Sequence, residues 1–355
     1  MSTPSPINVG SLAAFAHKFC CDVATIPGNV VLLGWSAEDD RWSVAPERAC
    51  RDAAFADRVP ATLRFFGDDV LPGLSGRSFW FPLCFYDGWR ERNLFSERYT
   101  WVPARGIDAS DEWRGAPGEV PILSASRRWI ACFGAHQGDP SAVLLPDPHY
   151  LARGRYARLF GEVRAHSIAW EARTAGAVFC AGDHGEPANY FPPVVPRRPH
   201  PRRYLKEVVD AAHLDVDVHL GHGVTQAAQM TRKWVLDVDG YARTWDAFAW
   251  KMQSGCAVLS AASPWESFFT RLFEPWLHFV PVANDFSDLA ERLDWCREHD
   301  DECRQIAERA QQRAESVYHP DFVADVVVKR WRALLVGAES AVPSPAPHED
   351  RLPGI

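Results

Sequence analysis

The chain has 355 residues, 47% of them hydrophobic and 24% charged, with a formal net charge of −8. That composition belongs to a soluble globular protein with more than one core, and the acidic balance argues against a broad nucleic-acid-binding face. Nine scattered cysteines without a CxxC pair read as free thiols in a reducing compartment, and no apolar run nears the roughly 20 residues of a membrane span.

The SLAAFA stretch is too short for a secretion signal, so a cytoplasmic location is expected, with peripheral membrane contact left open. In chain order, a short helix is expected over Ser11–Cys20. Buried strands follow in NVVLLGW (29–35), TLRFFG (62–67), SFWFPLCFY (78–86), RWIACFG (128–134) and AVLLPDPHYL (142–151). Pro146 and Pro148 stop the last of these, because proline has no N–H to give a ladder. Residues 47–59 carry helical spacing. CFGAHQGDPSAVLLPDPHY sets His136, Asp139, Asp147 and His149 on loops after strands, where catalytic groups tend to sit. Residues 152–167 read as a helix with a basic face of Arg153, Arg155, Arg158 and Arg164.

The strand-then-glycine pattern restarts in GAVFCAGDHG (176–185), with Gly182 and Asp183 in the turn. The spacing places a domain boundary there: an α/β domain over 1–168, a second over 169–337, and a small, polar, Pro-rich tail over 338–355 that reads as disordered. YFPPVVPRRPHPRR (190–203) is a stiff connection, followed by a helix over Tyr204–Ala212 and an alternating strand over 214–220. RKWVLDVDGYARTWDAFAWKMQSGCAVL then gives strand, turn, helix and strand in the order an α/β sheet uses to hold a ligand at the carboxyl ends of its strands.

Within that run, Asp237 and Asp239 alternate along a strand, so one is expected to cap the turn while the other faces the cleft. Gly240 permits close backbone approach. Thr244 reads as the N-cap of a helix over Trp245–Gln253, whose free N–H groups suit a diphosphate, with Lys251 as a point charge. PWESFF adds Glu266, suited to ribose hydroxyls, and Phe269, a flat surface for which core packing is the alternative. His278 in EPWLHFVPV reads as a core histidine or a catalyst. A long amphipathic helical region over 285–318, with a break near His299, and a last helix over 320–336 complete the chain. No G-x-S-x-G, HExxH, Walker lysine or G-x-G-x-x-G is present, which excludes hydrolases of that type, zincins and P-loop enzymes.

The ordered set RKWVLDVDGYARTW, FAWKMQSGCAVL and PWESFFTRLFEPWLHFVPVANDFSDLAERLDW resembles glycosyltransferase family 90. That family includes Rumi-type protein O-glucosyltransferases, capsule-associated xylosyltransferases and bacterial lipopolysaccharide-modifying transferases. The resemblance implies an α/β, GT-B-like architecture of two Rossmann-like domains facing across a cleft. It also implies metal-independent, inverting transfer of glucose or xylose from a UDP-sugar to a glycan, lipopolysaccharide or protein hydroxyl, with no cofactor and no nucleic-acid partner. On this mapping the family's acceptor-side aspartate falls near Ser141-Ala142, which leaves Asp139, with His136 beside it, as the nearest substitute base. Gly182, Asp183, Asp239, Gly240, Thr244, Trp245, Lys251, Ser254, Glu266 and Phe269 contact the donor. The chain departs from the family at Ala181, where the family has an arginine, and near Asp246-Ala247, where eukaryotic members have another. A catalytically inactive nucleotide-sugar or glycan binder is the alternative.

Overall fold

A computed structural model describes residues 5–6, 30–45, 57–74, 76, 79–88, 130–139, 142–185, 199–221 and 223–340. The helix expected over Ser11–Cys20, most of 47–59, the Pro-rich connection up to residue 198 and the tail from residue 341 lie outside them. The last helix runs over Pro320–Ser340, past its expected end.

The first lobe is a six-stranded sheet. Its strands in chain order are β1 (Ser5–Pro6), β2 (Val30–Ser36), β3 (Arg41–Ala45), β4 (Phe79–Cys84), β5 (Ile130–Cys132) and, after the short β6 (Gly134–His136), β7 (Ala142–Leu144). The spatial order is β1-β3-β2-β4-β5-β7. β2 runs antiparallel to both its neighbours, while β4, β5 and β7 are parallel. TLRFFG, expected as a strand, lies in a helix over Arg58–Phe65 and the wider π-helical turn over Phe66–Val70 that follows it. Val59, Leu63, Phe66 and Val70 recur at helical spacing and are buried, and a short apolar run alone does not separate the two periods.

The second lobe is a five-stranded, wholly parallel sheet, made of β8 (Thr174–Ala181), β9 (Val216–Leu220), β10 (Arg232–Asp237), β11 (Ala257–Ala261) and, after the short β12 (Trp265–Ser267), β13 (Val280–Val282). The order β13-β11-β10-β8-β9 is doubly wound, and the winding direction reverses between β8 and β10. Loops leaving the carboxyl ends of two such strands part from each other and open a crevice. Val178, Val235 and Val258 are buried on one face of this sheet, Phe179, Leu236 and Leu259 on the other. This is why its strands read as continuous apolar runs.

Two features join the lobes. β6 and β12 pair antiparallel as a ribbon, with Trp265 opposite His136 and Glu266 opposite Ala135. The last helix returns to the first sheet: the Trp331 ring sits 4.9 Å from Phe66 and 5.4 Å from Phe81, edge to face, and Arg332 Nε donates to Gly73 O at 2.8 Å. The α/β class is as expected, with the Rossmann pattern complete in the second lobe and confined to three parallel strands in the first. The basic face expected over 152–167 is broken by left-handed Arg155 and Tyr156. Three of its four arginines are paired: Arg153 with Asp246, Arg155 with Asp69, and Arg158 with Glu162.

Candidate functional site

A cleft of about 260 Å³ opens where the second sheet reverses its winding. His184, three residues past β8, and Gly240–Ala247, past β10, form one wall together with Arg202. Arg58, Asp87 and His149 form the other, from the first lobe.

The sheet-side wall is set by buried charge. Asp237 ends β10, Asp239 lies two residues on, and both are fully buried. Arg243 clamps the two, reaching Asp237 Oδ2 at 2.9 Å and Asp239 Oδ1 at 2.7 Å. Lys251 Nζ and Thr244 Oγ1 reach Asp237 Oδ1 at 2.9 and 3.0 Å, and Ser263 Oγ donates to Asp239. Burial alone would raise the Asp237 carboxyl, but Lys251 and Arg243 overcome it and hold it at about 2. The two aspartates therefore face the same arginine, because the strand ends at Asp237 and the alternation ends with it.

Arg202, in the first turn of the helix over Pro201–Ala212, lies over this turn. Its guanidinium donates to Asp239 O at 3.1 Å and Gly182 O at 2.9 Å and meets His184 Nε2 at 3.1 Å. A Cβ at residue 240 would come within 2.9 Å of that guanidinium, so a side chain there would make Arg202 shift from this position. The His184 ring stacks on Tyr241 with centroids 5.4 Å apart. Burial and then Arg202 hold the His184 imidazole below its usual range, so it meets the guanidinium as a neutral acceptor.

On the opposite wall, Arg58 donates to Phe85 O and to Asp87 Oδ1, both at 2.8 Å, and its guanidinium lies 5.1 Å above the Trp245 ring. His149 packs edge to face on the same indole at 5.3 Å. Its Nδ1 lies 3.2 Å from Asp246 Oδ2, and Arg153 NH1 reaches that oxygen at 3.2 Å. His149 rides on a short helix whose N-cap, Asp147, accepts from Tyr150 N at 2.9 Å and from the Tyr156 hydroxyl at 2.6 Å. Burial pushes the Asp147 carboxyl up to about 6.

Of the residues expected at the donor, Gly240, Thr244 and Trp245 line the cleft and Gly182 and Asp239 support Arg202 through their carbonyls. The others lie elsewhere. Lys251 is 2% exposed and committed to Asp237, so the point charge expected for phosphate serves the frame instead. Trp245, not Thr244, occupies the N-cap position, and Asp246 Oδ1 takes up Ala247 N at 3.0 Å, so the protein's own carboxylate sits where a diphosphate was expected. Ser254 closes that helix, donating to Lys251 O at 2.6 Å. Asp183 pairs with Arg203 and His200 outside the lining. Phe269 stacks on Tyr318 at 4.1 Å inside the core.

Asp139, His136 and Glu266 gather instead around the β6–β12 ribbon. His136 packs on Trp265 at 5.3 Å, and Asp139 and Glu266 add to burial and Cys84 in pushing the Cys132 thiol up. Asp139 is not among the cleft residues, whereas Asp87, directly after the expected strand 78–86, is. The rule that picks residues just past a strand would have found it. His278 is a core histidine, accepting from Glu274 N at 3.0 Å.

Residues 202–335 match the pattern of Glycosyl transferase family 90. The match covers that segment alone. It includes Arg202 and the whole turn from Asp237 to Asp246, and so carries the sheet-side arginines of the cleft. Protein O-glucosyltransferase 3 of Homo sapiens is 33% identical over 88 residues, 25% of this chain and 17% of that protein. Uncharacterized protein 179R of Invertebrate iridescent virus 6 is 29% identical over 118 residues, 31% of this chain and 10% of that protein. The chain thus spans under a fifth of the length of either relative. Among solved structures, Anabaena Alr3699/HepE in complex with UDP-glucose aligns with a TM-score of 0.31 at 14% identity, over 51% of this chain and 53% of that one. Among the described residues, no helix is long and apolar enough to cross a membrane.

Proposed function

We propose that this chain is a family 90 glycosyltransferase that moves a sugar, glucose or xylose, from a UDP donor to a hydroxyl of a glycan, lipopolysaccharide or protein. The observation that carries the proposal is the cleft itself: arginines at the winding reversal of a parallel sheet, in the family-matched segment, faced by one carboxylate from the other lobe. Arg202 brings positive charge to the wall where a departing diphosphate gathers negative charge, while Arg243 holds the turn beneath it. Asp87 accepts the acceptor hydroxyl's proton as its oxygen attacks the anomeric carbon opposite the leaving diphosphate. One in-line displacement inverts that carbon. No metal is needed for any of these steps as drawn. The free thiols described, Cys84 and Cys132 among them, suit a reducing compartment such as the cytoplasm.

The test is UDP release from UDP-glucose and UDP-xylose over a panel of sugar and lipid-linked acceptors. Asp87→Asn should lower turnover about 10²–10⁴-fold and leave UDP affinity within a few-fold; unchanged turnover would reject Asp87 as base. A second reading, a nucleotide-sugar binder without transfer, draws on the Arg58–Asp87 pair, which already occupies one oxygen of the carboxylate. UDP binding without release from any donor would favour it.

A further inference from the structure

Asp246 stands where a phosphate-binding arginine was expected, and the structure gives it a different kind of neighbour. It opens the helix over Asp246–Gln253 and lines the cleft with its side chain 37% exposed. Two donors fix it, and an imidazole lies beside them. Ala247 N meets Oδ1 at 3.0 Å, and His149 Nδ1 and Arg153 NH1, both from the first lobe, each lie 3.2 Å from Oδ2. A carboxylate has about four lone-pair sites, so each oxygen keeps acceptor capacity toward the cleft. The adjoining Trp245 supplies the complement: its indole Nε1 is buried and has no hydrogen-bond partner among the described residues. An acceptor and an unused donor therefore sit on consecutive residues of the cleft lining. Contiguity runs from Asp87 to Arg58, from Arg58 to the Trp245 ring, and from that ring to His149.

A phosphate does not suit this spot. Its charge would oppose the carboxylate, and the helix N–H that would have bound it is taken by Asp246 itself. A sugar hydroxyl donates and accepts at once, and neighbouring hydroxyls on a ring match an acceptor beside a donor. We propose that Asp246 is the sugar-reading residue of the cleft, fitted to the hydroxyls of a neutral sugar and set against an acidic one. The proposal rests on the donor reading above. His149 and Arg153 act as positioning residues that hold the carboxylate in place. Burial pushes its proton affinity up, and the neighbouring His149 and Arg153 side chains more than offset that, holding the carboxyl below its ordinary range.

Calorimetric titration of the full chain with UDP, UDP-glucose and UDP-glucuronate tests this. The native chain should bind UDP-glucose at least about tenfold tighter than UDP-glucuronate, since a polar site left unpaired or facing like charge rejects the wrong ligand by that much or more. Asp246→Asn, with an unchanged circular dichroism spectrum, should shrink the ratio to about threefold or less. Trp245→Phe keeps the ring but loses the N–H, and should weaken UDP-glucose relative to UDP without admitting the uronate. Equal affinity of the native chain for both sugar nucleotides, or a ratio that survives Asp246→Asn, overturns the assignment while leaving UDP binding as evidence for the donor site. Failure of UDP itself to bind overturns both.

Discussion

The sheet-side wall of the cleft is held by buried charge, Asp237 and Asp239 tied to Arg243, Lys251 and Ser263, whereas the first-lobe wall stands on neutral packing around Phe66, Phe81 and Tyr150. On the first wall every charged group has its partner within the frame, and the groups that reach the ligand, Arg202 and His184, lie over it. On the second wall the buried Asp147 is met by hydrogen bonds from Tyr150 N and the Tyr156 hydroxyl, and the ligand-facing Asp87 and His149 each lie against an oppositely chargeable neighbour, Arg58 and Asp246. The contrast teaches that a charged residue in a site motif can belong to the scaffold. Losing one member of a buried ion pair is costly because its partner stays behind without water.

The largest effect expected from this contrast is on Lys251. Lys251→Met leaves Asp237 buried with one cation fewer, and should destabilise the fold by about 3–5 kcal/mol in denaturant titrations. UDP affinity at a temperature where the variant is folded should change little. If stability held and UDP affinity collapsed, Lys251 would be a ligand group and the frame would be misread.

Asp147 sharpens the comparison from the other wall. Its folded-state value of about 6 lies above the ordinary 3.8, so the folded chain holds this proton more tightly than the unfolded one. Stability from this group is therefore fully present below pH 3.8 and lost as pH rises through about 6. The difference amounts to about 3 kcal/mol at most. Asp147→Asn keeps an oxygen for Tyr150 N and the Tyr156 hydroxyl, and should remove that dependence between pH 7 and 5, read by urea denaturation at the two values. Asp237 has the opposite sign and a lower window, its stability being present above 3.8 and lost as pH falls toward about 2. A native chain whose stability fell between pH 7 and 5 would contradict the placement of Asp147.

Much of the second lobe was legible in the sequence. A parallel sheet buried on both faces shows as unbroken apolar runs, and β8, β10 and β11 fell within a few residues of where GAVFCAG, WVLDV and CAVLS put them. The turn glycine, Gly240, was legible for the same reason: its role follows from lacking a side chain. Less could be read where function depends on which partner a side chain meets. Asp237, Lys251 and Arg243 spell the same letters whether they bind phosphate or one another, and only the fold pairs them. Arg202 looked like part of a stiff basic connection because its target is the carbonyl of Asp239, 37 residues away. TLRFFG misled because three apolar residues in six fit either period. Asp139 was chosen for its distance from a strand end, yet β6 turns aside to pair with β12 and takes that loop away from the cleft.

The central claim is that Arg202 and the Gly240 turn hold the diphosphate of a nucleotide. It is tested most directly by calorimetric titration of UDP into the native chain and into Arg202→Ala. Saturable one-site binding that weakens about 10–100-fold in the variant is expected, the loss of charge-assisted hydrogen bonds worth about 1.5–3 kcal/mol. Binding of equal strength in both, or none in the native chain, would contradict it.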